Sequence, residues 1–134
     1  MAQQTMYPAI ANSPGTELSA AITSAATTIT VINGAALPAA PNVCTIGVDE
    51  TAETVLYAGK SGNTLTGVTR GHGGTVAKAW ASASKVARYF TAYDHDTFRA
   101  NILDLIDYLA YMPINGGTFD GNDQVGPVID GGTY

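Results

Sequence analysis

The chain has little of what most enzymes and nucleic-acid binders are built from. Of its 134 residues only 13% are charged, and six Lys and Arg face eleven Asp and Glu, a formal net charge of −5. That balance leaves no basic stripe for nucleic acid. A single cysteine, Cys44, excludes an intrachain disulfide and a cysteine-based structural zinc site. No apolar run approaches the roughly 18 residues that a membrane-spanning helix needs, so no membrane insertion is expected. The segment Met1 to Ile10 shows no basic stretch leading into an apolar one, so synthesis in the cytoplasm without export by the general secretory route is the expectation.

What is present is 46% hydrophobic residues, fifteen glycines and much alanine and threonine. This suits one packed module of short strands and tight turns, with surfaces covered by neighbouring chains. The expected fold class is mainly β with one α-helix. Residues 1–23 hold Pro8, Pro14 and Gly15 without a clear period and read as an extended N-terminal arm. Residues 24–92 read as a small antiparallel β domain. Thr27 to Ile32 is almost all β-branched, Val43 to Val48 alternates, and Glu53 to Ala58 and Thr64 to Thr69 are further runs joined by polar turns. Lys85 to Thr91 adds another strand. Arg70 to Thr75 is rich enough in glycine to read as a loop, and Val76 to Ser84 as one or two helical turns around Trp80.

Residues 93–112 form an amphipathic segment. Asp94 reads as its N-cap, with Tyr93 and Phe98 placed as a hydrophobic staple. Phe98, Ile102, Leu105, Leu109 and Met112 recur at spacings of 4, 3, 4 and 3, a heptad seam with Ile102 and Leu109 at a and the others at d, and Pro113 ends it. Leu103, Ile106 and Tyr108 widen the apolar face. Two readings stand side by side: the helix packs on its own β domain, or it bundles between subunits, most naturally three. The second makes Phe98, Ile102, Leu105, Ile106, Leu109 and Met112 the oligomer interface. Residues 113–134 carry a repeat, Ile114-Asn115-Gly116-Gly117-Thr118-Phe119 returning as Ile129-Asp130-Gly131-Gly132-Thr133-Tyr134, a glycine-rich fibre-like segment that needs stacking neighbours.

Catalytic patterns are missing. Arg70-Gly71-His72-Gly73-Gly74 has neither a Gly-x-Ser-x-Gly elbow nor a Gly-Lys-Ser/Thr phosphate loop. Asp94, His95 and Asp96 point about 100° apart on a helix and cannot converge on one ion, although a threefold bundle could ring one of them about its axis. Glu50 and Glu53 read as a solvated turn, Cys44 as a buried small hydrophobe, and Asp120, Asp123 and Asp130 lack calcium-loop spacing. Trp80 reads as an anchor, or as a platform for a sugar. No catalytic residue, no cofactor and no metal is expected.

Thr27 to Val31, then Leu37-Pro38-Ala39-Ala40-Pro41, Thr45-Ile46-Gly47 and Gly62 to Gly71 with its Thr69-Arg70-Gly71 ending together resemble a module of tailed-bacteriophage virion proteins. The match covers about residues 24–92. Gly73, Gly74, Thr75 and Ala77 fit that pattern, but Trp80 and Ser82 stand where it has a His and a small residue. The following helix and the Ile-Asn-Gly-Gly-Thr repeat are similar to connecting helices and β-fibre repeats of phage tail fibres. The resemblance implies a structural virion protein without enzymatic activity: the particle-proximal part of a homotrimeric tail fibre, docked on tail, baseplate, neck or capsid proteins. A distal part would reach a host surface glycan. A capsid decoration or head-fibre protein and a carbohydrate-binding module are the alternatives.

Overall fold

In the computed structural model, residues 3–111 are described. Met112 and the repeat of residues 113–134 lie outside them. Strands β1 (Gly15–Glu17), β2 (Ile29–Thr30), β3 (Asn42–Ile46), β4 (Glu53–Ser61), β5 (Thr64–His72) and β6 (Lys85–Ala87) form one sheet in the order β1-β6-β3-β4-β5-β2. Every pairing is antiparallel. A 3-10 turn (Gly34–Ala36) follows β2, and a single helix, α1 (Ala92–Tyr111), follows β6. The fold is mainly β with one helix, as the sequence suggests.

The central meander β3-β4-β5 follows from apolar residues and turns. Gly62-Asn63 joins β4 to β5 with Ser61 opposite Thr64, and Gly62 supplies the positive φ of 58° that a two-residue hairpin needs at its first position. Asn63 then ties this turn to the chain after β2: its Oδ1 accepts from the Gly34 N–H at 2.7 Å and its Nδ2 donates to the Ile32 carbonyl at 3.1 Å. The two edges of the sheet meet. Leu18 bridges Val31, Ser19 N–H donates to Thr30 O, and Ile32 N–H donates to Glu17 O, each bond at 2.9 Å. The half-barrel is thereby sealed around a core that includes Leu18, Ile29, Val31, Leu37, Ile46, Tyr57, Leu65 and Val86.

Several local expectations are corrected. Residues 15–18, read as part of an arm, form edge strand β1 and core residue Leu18, with pairing on both sides. Strand β3 ends at Ile46 because Gly47 turns the chain at φ 100°, so Val48 is exposed and does not continue the Cys44–Ile46 face. The Arg70–His72 stretch lies within β5, not in a loop; a bulge there, with Gly71 at φ 57°, lets the strand carry the glycine. Residues 76–84 contain no helical turn: Trp80 pairs through its backbone with Ile22, and tertiary bonding overrides the helix propensity of alanine.

Candidate functional site

Two buried charge centres organise the structure, and neither is legible from composition. The first is Glu53, expected in a solvated turn but fully buried at the start of β4. The bulge in β5 aims Arg70 at it. Nε donates to Oε2 at 2.8 Å and Nη2 to Oε1 at 2.9 Å, while Gly71 N–H, Trp80 Nε1–H and Lys78 N–H complete five bonds at 2.9, 2.9 and 3.2 Å. Burial pushes the Glu53 carboxyl up, but these donors more than offset it and hold it below its ordinary range. Arg70 and Gly71 thus serve a structural carboxylate. The Trp80 ring is occupied as well. It packs so close to Gly47 that a Cβ there would lie 2.6 Å from it, and Lys78 Nζ sits 4.2 Å over the ring. The indole N–H is thus spent on Glu53, and one face of the ring lies under a lysine.

The second centre is Arg88, 3% exposed, which joins three parts of the chain. Its guanidinium donates to both oxygens of Asp94 at 2.7 and 2.8 Å, to Asn42 Oδ1 on β3 at 2.8 Å, and to the carbonyls of Tyr7 and Pro8 at 3.1 and 3.3 Å. Asp94 is not the N-cap. That position is held by Thr91, whose Oγ1 accepts from Asp94 N–H at 3.2 Å while Asp94 Oδ2 accepts from Thr91 N–H at 2.9 Å. This reciprocal box satisfies two helix-end donors. The aromatic contact across the helix start is Phe90 with Phe98, centroids 6.0 Å apart, rather than Tyr93 with Phe98. Burial raises and Arg88 and Thr91 lower the Asp94 carboxyl, with a net displacement below the usual value. Asp94 is therefore committed to its own chain and cannot join a ring of metal ligands. Among the described residues no cluster of three or more His, Cys, Asp or Glu is placed to hold a metal ion.

From this anchored base α1 projects away from the half-barrel. Within the helix only Asp94 and Thr97 are buried. Phe98 is half-buried, whereas Ile102, Leu105, Ile106 and Leu109 are 45–57% exposed, and Leu103, Tyr108 and Tyr111 are exposed too. The reading in which this stripe packs on its own sheet is not what the structure has. Residues 3–8 run beside the helix instead: Asn101 accepts from Gln4 N–H at 2.8 Å and donates to Gln4 O at 2.9 Å, and Tyr93 OH donates to Thr5 O at 2.6 Å. The sixth residue of the expected interface, Met112, lies outside the described residues. No helix among the described residues is long and apolar enough to cross a membrane.

No family model and no curated protein sequence matches this chain.

Proposed function

We propose that the chain is a structural virion protein, the particle-proximal part of a trimeric phage tail fibre that docks on the tail or baseplate and projects a fibre for host attachment. One observation carries this reading: an apolar stripe runs along a helix whose root is locked by a buried ion pair, yet the described residues leave the stripe open to water. Such a face is stabilised by covering it, and heptad spacing with a and d apolar lets parallel copies do so. The phage-like pattern of residues 24–92 and the fibre-like repeat supply the context of a virion. The half-barrel is the docking body, the helices gather three chains in parallel, and the repeat continues outward.

Sedimentation of the full chain at micromolar concentration tests it. The expected species has about three times the 13.8 kDa monomer mass. Leu109→Asp removes an apolar contact worth about 2 kcal/mol per chain and places a charge in the seam, so it shifts the protein to monomer. A wild-type monomer that retains its helix overturns the proposal.

A further inference from the structure

We infer that the N-terminal arm is a working part of the helix interface: Ile106 of a neighbouring copy seats in the groove that Gln3 and Met6 form with Phe98, Ile102 and Leu105. The inference rests on the parallel trimer proposed above and names a contact that the trimer alone does not require. The groove is open and has a volume of about 320 Å³. One wall is the stripe of α1; the other is the arm, pinned by the paired bonds between Asn101 and the Gln4 backbone. Met6 itself is left half exposed at its edge.

The heptad register identifies the occupant. With Ile102 and Leu109 at a, Asn101 falls at g and Ile106 at e. In parallel helices g of one chain faces e of its neighbour, where charged pairs ordinarily set orientation. Here e carries an isoleucine and g an asparagine, so no ion pair forms. Asn101 instead spends its side chain on the arm, and the arm brings Met6 to the flank that a neighbour's Ile106 approaches. Within one chain Asn101, which holds the arm, and Ile106 lie about 140° apart around the helix, on opposite sides of the stripe. An exposed isoleucine at e and an apolar wall beside g are thus placed to meet between copies.

The test is the double variant Met6→Cys/Ile106→Cys in the full chain, oxidised with glutathione and run on a non-reducing denaturing gel. Cys44 takes no part, since it is buried and its thiol is pushed up to about 12 by burial. Covalent dimer and closed trimer are expected, at least tenfold above either single variant. A bridge closing within one chain overturns the inference. So does a trimer by sedimentation that cross-links no more than the single variants, a result that leaves the trimer standing. A monomer removes both. Met6→Asp provides a second readout: the concentration at half-assembly rises at least tenfold with an unchanged far-UV circular dichroism spectrum, and an unaltered assembly curve refutes the arm's role.

Discussion

Glu53→Gln is the substitution that discriminates most sharply between a buried structural carboxylate and an incidental turn residue. The side chains are nearly isosteric, so packing is kept and only charge and hydrogen bonding change. Oε1 accepts three bonds and Oε2 two, every one from a donor. Whichever oxygen becomes an amide NH2, at least two donors then face a donor, and Arg70, at 7% side-chain exposure, loses its counter-charge. Breaking a buried pair from one side costs about 3–5 kcal/mol. A domain of this size holds about 5–10 kcal/mol in all, so roughly half of its stability goes. Urea unfolding followed by emission of Trp80, the single tryptophan, should show the midpoint falling by about 2 M at an unchanged slope. The paired variant Glu53→Leu/Arg70→Met should not recover the loss, because the Gly71 and Lys78 amides and the Trp80 indole stay unpartnered. A loss below about 1 kcal/mol for Glu53→Gln refutes the assignment of this centre as a fold-determining network.

Two further outcomes follow from the same chemistry. Asp94→Asn removes half of the Arg88 pair and weakens the capping box, at a cost of about 3 kcal/mol, and amide exchange over 92–96 should quicken; unchanged protection there contradicts the latch. Stability should fall on acidification in stages. His72, whose buried Nε2 has no partner among the described residues and whose basicity burial lowers, binds protons first in the unfolded chain, below its ordinary value of 6.5. Glu53 and Asp94, both held below their ordinary 4.5 and 3.8, contribute stability that is complete above those values and is lost as pH falls past them. A melting temperature that stays level from pH 7 to pH 3 contradicts that assignment.

The elements that the sequence reveals are those written in local terms. Alternation and β-branching mark β3 to β5, Gly62-Asn63 marks their hairpin, and apolar spacing marks α1 to within a turn. Interactions that depend on residues far apart do not show. Glu53 and Arg70 are 17 positions apart, and only a bulge turns one toward the other. Alanine content around Trp80 suggests helix because nothing nearby discloses that its indole is committed to Glu53 and its backbone to Ile22. Two signals were within reach: Arg70-Gly71 at the end of an alternating run, where a glycine favours a bulge, and Thr91-x-x-Asp94, a capping box one turn ahead of the cap that spacing suggests. Charge scarcity also misleads. With few ionic side chains in the chain, Glu53 reads as part of a solvated turn, whereas it lies inside, as do Arg88 and Asp94.

The Arg88 centre has a mechanical consequence. Tension applied at the far end of α1 reaches the half-barrel through the backbone of residues 88–91 and, beside it, through the Asp94 carboxylate, whose share one guanidinium divides among β3, the Tyr7–Pro8 backbone and the chain just after β6. These bonds share the load side by side and do not fail one after another. A rod rooted in this way resists being bent away from its base, and its angle is set by a fork of planar bonds rather than by a pliant hinge.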